Sequence, residues 1–77
     1  MRLSQLKIGE KIRITGLKPG ENVYRQRLIA MGLLPGTEIE IMRIAPLGDP
    51  VEIRVRGFAL SLRKNEANIL ELEEAGQ

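Results

Sequence analysis

The sequence predicts a mainly β fold, a small five-stranded barrel with one short α-helix inserted between strands 1 and 2. Three observations predict it. Short runs of alternating apolar and polar residues recur, as in "EKIRIT", "VEIRVR" and "FALSL". Glycine and proline punctuate the chain between such runs, at "LKPG", "LLPG" and "PLGDP". Helix formers at helical spacing occur in "NVYRQRLIAMG". At 77 residues, the chain reads as a single domain over positions 1–77.

Each element has its own reason. Ile12 and Ile14 alternate with Lys11 and Arg13, the pattern of a half-buried first strand over Glu10–Thr15. Pro19-Gly20 suits a type II turn, because proline presets φ and glycine accepts φ > 0. Asn22 is the expected helix N-cap, its side chain accepting from a free backbone N–H. Tyr24, Leu28 and Met31 fall at i, i+4 and i+7 on one helix face, and Gly32 is the expected left-handed stop. Pro35-Gly36 then repeats the turn chemistry of Pro19-Gly20.

The second strand follows in "TEIEIMRIA". Ile39 and Ile41 share one face and Ile44 falls on the other, so a bulge or bend is expected near Met42. Gly48-Asp49 is expected as a tight hairpin connection. Val51, Ile53 and Val55 point inward on the third strand, and Gly57 allows a second tight turn. Phe58, Leu60 and Leu62 form the apolar series of the fourth strand, and Leu70 and Leu72 that of the fifth. "RKNEAN" between them is expected as a single 3₁₀ turn, and the tail from Ala75 to Gln77 as frayed. Closing so short a sheet would remove edges that otherwise pair with other chains. The length suits an SH3-like barrel better than a sandwich. An OB-fold ranks second, because it more usually places its helix after the third strand.

Composition then excludes whole classes of chemistry. There is no cysteine and no histidine. Disulfides, zinc fingers and iron–sulfur clusters are excluded, as are Ser/His/Asp and Cys/His catalytic sets. The lack of disulfides fits a reducing cytoplasm. No apolar run approaches the roughly 20 residues that span a bilayer, and the N-terminus has no apolar signal-peptide core. No GxxxxGK[ST] phosphate loop occurs. The net charge is +2, with 12 basic and 10 acidic residues interleaved as on an ordinary soluble surface. Tyr24 and Phe58 are the only aromatics, too few for a stacking platform, so no nucleic-acid partner is expected.

Candidate interaction residues remain. Oxygen ligands alone suit hard cations better than a tight Fe2+ or Zn2+ site, and Glu38, Glu40 and the Glu71/Glu73/Glu74 cluster read as solvated or cross-strand paired. The sharper feature is the helix. Leu28, Met31, Leu33 and Leu34 serve the core or line a groove beside the helix, with Arg25, Arg27 and Asp49 at its rim. Sheet edges could also pair copies of the chain into a homo-oligomer.

Several segments carry a family resemblance in order and spacing. They are Tyr24-Arg25-Gln26-Arg27-Leu28, Met31-Gly32-Leu33-Leu34-Pro35-Gly36 and Ala45-Pro46-Leu47-Gly48-Asp49-Pro50. Leu60-Ser61-Leu62-Arg63-Lys64 and Glu66-Ala67 continue the pattern. Together they resemble the FeoA family, the ferrous iron transport protein A group, from about Leu6 to Leu72. The resemblance implies an SH3-like barrel and a non-enzymatic, cytoplasmic accessory protein of ferrous iron uptake. It implies a partner, the membrane transporter FeoB with its cytosolic GTP-binding domain, and contact with the membrane only through that partner. Related domains end metal-dependent repressors, so a metal-binding or metal-sensing domain is the alternative. No helix-turn-helix precedes the barrel here, so a complete repressor is not expected. No intrinsic cofactor is implied, and at most weak binding of a divalent transition metal such as Fe2+.

Overall fold

The computed structural model describes residues 3–20 and 22–75. A 3₁₀ turn at Leu3–Gln5 precedes β1 (Lys11–Leu17), α1 (Asn22–Ala30), β2 (Glu38–Ile44), β3 (Val51–Val55) and β4 (Phe58–Leu62). The short α2 (Lys64–Ala67) and β5 (Leu70–Glu74) complete the chain. All pairings are antiparallel, in the order β4-β3-β2-β1-β5. The five strands and the helix between β1 and β2 stand where the sequence puts them. Closure does not: β4 and β5 remain the two edges of one sheet. The connection between them is taken up by α2 rather than by a direct strand pairing.

Two bulges curl the sheet. In β2 the register shifts between Ile41 and Arg43, at the Met42 position where the apolar face changes. The extra residue brings Ile44 opposite the buried Val51, just as Ile41 lies opposite Ile53. β1 shifts likewise between Ile14 and Gly16. There Thr15 Oγ1 donates to the Glu71 carbonyl at 3.1 Å. Leu17 thereby joins the apolar side that Ile12 and Ile14 began, although its odd spacing hides this in the sequence.

The core comprises Ile12, Ile14, Leu28, Leu33, Ile39, Ile41, Val51, Ile53, Val55, Leu62 and Leu70, joined by Leu3 from the N-terminal turn. Each such side chain contributes roughly 1.5–3 kcal/mol when fully buried. Leu3 and Ala67 line the same small cavity as Val51 and Leu62. The N-terminal turn and α2 therefore complete the core where the sheet does not close.

The helix stop follows the expected chemistry. Leu33 N–H donates to Leu28 C=O at 3.0 Å and Gly32 N–H to Ile29 C=O at 2.9 Å, the paired bonds of a Schellman motif. Gly32 takes φ +88°, a conformation that a side chain disfavours. Thr37 N–H then donates to Leu34 C=O across Pro35-Gly36. Between β3 and β4, Arg56 and Gly57 have φ +51° and +83°, a two-residue type I′ turn.

Four expectations change. The β2–β3 connection is not a two-residue turn at Gly48-Asp49 but a loop over residues 45–50. Gly48 N–H donates to Ala45 C=O, and Ala45 N–H to Pro50 C=O. Pro50 has no N–H to return, so the tight pairing cannot continue. The turn at 63–68 is α-helical rather than 3₁₀: Ala67 and Asn68 N–H donate to Arg63 and Lys64 C=O, four residues back. Phe58 keeps the strand face of Leu60 and Leu62 but is 71% exposed, because it lies at the turn end of the edge strand. Ala75 does not fray; it is buried and donates to Lys11 C=O. The Asn22 side chain, and with it the expected cap, lies outside what the structure describes, as do the tail residues Gly76 and Gln77.

Candidate partner-binding surface

Two concave surfaces flank α1. The first lies between α1, the β2–β3 loop and α2. Asp49 Oδ1 accepts from the Lys64 N–H at 2.9 Å, so the loop caps the first turn of α2. Glu66 Oε1 accepts from the Arg63 N–H at 3.0 Å, and its Oε2 stands 3.3 Å from Arg27 Nε. Glu66 is only 4% exposed and ties α2 to α1. These groups, with Tyr24 and Asn65, enclose a cleft of about 450 Å3. Both acids there are engaged, which leaves Arg63 and Lys64 without an ion-pair partner among the described residues.

The second surface is an apolar groove of about 350 Å3 at the C-terminal end of α1. Ala30, Met31 and Gly32 form one wall; Phe58, Ala59 and Leu60 of β4 form the other. Val55 and Arg56 close the end at the β3–β4 turn. It exists because the Schellman stop turns the chain inward at Leu33, leaving the end of the helix beside an uncovered edge strand. The exposed Phe58 makes it the clearest apolar opening in the described molecule.

The expected contact residues divide between these places. Arg27 and Asp49 come together in the polar cleft. Met31 lines the apolar groove, and Leu34 is exposed just beyond the helix stop. Arg25 is half-buried on α1, its Nε buried without a hydrogen-bond partner. Leu28 and Leu33 are both 0% exposed, so the core uses their whole surface and the groove none of it. Phe58 was missed as a surface residue, since alternation assigns it to the inward series, where Leu60 does pack partly against the core. The neighbouring type I′ turn signal at Gly57 places Phe58 at the end of the strand, where inward no longer means covered.

Among the described residues, no three Asp or Glu side chains gather to hold a metal ion. No helix there is long and apolar enough to cross a membrane.

Residues 1–74 match the FeoA domain model. A Porphyromonas gingivalis Fe(2+) transport protein A/Fe(2+) transporter FeoB fusion protein is 38% identical over 73 residues. That match covers 95% of the chain but only 8% of the fusion protein's length. The solution structure of a FeoA-like protein from Clostridium acetobutylicum superposes with a TM-score of 0.85 at 39% identity, covering 100% of this chain and 88% of that one. Stenotrophomonas maltophilia FeoA complexed with zinc, described as an SH3 domain protein, has a TM-score of 0.80 at 22% identity. It covers 95% of this chain and 89% of its own, and supports the SH3-like fold alone. With a family model spanning nearly its whole length and that fold, the chain belongs to the FeoA domain family.

Proposed function

We propose that the chain is a non-enzymatic, cytoplasmic accessory protein of ferrous iron transport that acts by binding the FeoB transporter. The fusion of transport protein A to FeoB in the Porphyromonas gingivalis relative carries this reading, because one chain holds the two parts at high effective concentration. Where the two parts are separate chains, affinity must supply that proximity. The apolar groove between Met31 and Phe58 is the surface on which it does so, with Leu34 beside it. Arg25, Arg27 and Asp49 lie outside that groove, on α1 and in the polar cleft; they orient the partner through charge. The partner face is the cytosolic GTP-binding domain of FeoB, and this contact brings the chain to the membrane.

The chain contributes affinity and orientation rather than bond-making. A pull-down of the FeoB cytosolic domain by wild type, Phe58→Ser and Met31→Asp tests the reading. Loss of recovery with either folded variant supports it. Equal recovery by all three moves the contact away from the groove.

A further inference from the structure

The groove has a second property besides being apolar: one wall is a strand edge. In the type I′ hairpin, Val55 and Phe58 flank the turn and exchange backbone hydrogen bonds. Ile53↔Leu60 and Val51↔Leu62 repeat that relation two residues on. The backbone groups of Phe58, Leu60 and Leu62 therefore face β3, and those of Ala59 and Ser61 face away. No described strand lies on that side, and no other described backbone group bonds to Ala59 or Ser61. Two N–H and two C=O groups thus stand along an exposed edge, open to a further strand.

Edges of this kind are normally guarded by charge, proline or a bulge. β4 reads "FALSL", with no charge and no proline, and its pairing to β3 is regular. Cations instead bracket it: Arg56 precedes it in the turn, and Arg63 and Lys64 follow it. None of the three has an acidic side chain in ion-pair range among the described residues. The geometry points to strand addition: an extended segment of FeoB, apolar in the middle and acidic at its ends, adds to the β4 edge beside the groove. Its backbone pairs with Ala59 and Ser61. Its apolar side chains meet Met31 and Phe58, and its acids meet Arg56 at one end and Arg63 and Lys64 at the other.

Charge complementarity selects this occupant over a second β4. In an antiparallel pair of two β4 strands centred on Leu60, the β3–β4 turn of one copy, with Arg56, lies beside the Arg63-Lys64 end of the other. Like charges brought together at both ends destabilise such a pair. An acidic segment turns both ends from repulsion to attraction. The inference rests on the FeoB-binding reading and adds how the contact is made.

Amide hydrogen exchange of the full chain, alone and with the FeoB cytosolic domain, tests it. Ala59 and Ser61 amides are expected to exchange fast in the free chain and at least tenfold more slowly in the complex. Ala59→Pro removes only an outward N–H, so it is expected to fold and to bind at least tenfold more weakly. Should Ala59→Pro not fold, the surface pair Arg56→Glu and Lys64→Glu gives the same test through charge, with loss of binding expected. Binding that leaves both amides unprotected and tolerates these changes overturns strand addition while leaving the FeoB reading standing. No binding by wild type overturns both. Protection that appears in the free chain and grows with its concentration overturns the choice of occupant in favour of a second copy.

Discussion

Replacing Gly32 by alanine tests the helix stop on which the groove depends. Gly32 holds φ +88° at the end of α1. A Cβ built there meets nothing closer than Arg56 Nη1 at 3.9 Å, an ordinary contact, so the cost is conformational rather than steric. Left-handed backbone costs a side-chain-bearing residue about 1–2 kcal/mol. Alanine returns about 0.4–1 kcal/mol by stiffening the unfolded chain. The net loss is about 1 kcal/mol, which lowers the melting temperature of a domain this size by about 4–8 °C. The opposite change is available nearby. Arg56 has φ +51° at the first central position of the type I′ turn, where asparagine is preferred. Arg56→Asn should therefore raise the melting temperature, by a few degrees for a gain of about 0.5–1 kcal/mol. Calorimetric melting of the two variants against wild type decides. An unchanged or raised melting temperature for Gly32→Ala would refute the left-handed stop, and with it the position of the groove wall.

Other variants separate core from surface. Leu28→Ala should cost about 2–5 kcal/mol in denaturant titration, since its side chain is fully buried. Asp49→Ala should cost about 1 kcal/mol and speed exchange of the Lys64 amide, because it removes the cap of α2. Phe58→Ser should change stability by less than about 0.5 kcal/mol, as expected for an exposed position, while weakening FeoB binding at least tenfold in calorimetric titration.

Local chemistry made much of this fold legible. The Gly32 stop, the Pro35-Gly36 turn and the Met42 bulge each rest on a few adjacent residues, and the structure has all three. What escaped depends on residues far apart in the chain. Leu3 is core only because α2 and the sheet meet around it, and "LSQL" is too short to show a period. Asp49 reads as a loop-tip carboxylate until Lys64 is found above it, 15 positions away. The bulge at Thr15 was hidden because Gly16 and Leu17 read as the approach to the turn.

The candidate surface was legible in type but not in membership. Sequence spacing puts Tyr24, Leu28 and Met31 on one helix face, but α1 ends at Ala30, and Tyr24 lines the polar cleft while Met31 lines the apolar groove. It cannot divide that face between core and solvent. The sheet takes Leu28 completely, Met31 only in part, and Leu33 through the Schellman turn. The opposite wall comes from Phe58, whose alternation names a side of the strand but not what covers it.

Fe2+ uptake into vesicles carrying FeoB tests the central claim most directly, measured with no added chain, with wild type and with Phe58→Ser. The account predicts faster uptake with wild type and little or no gain with Phe58→Ser at the same concentration. Uptake unaffected by wild type, or raised equally by both, would contradict it.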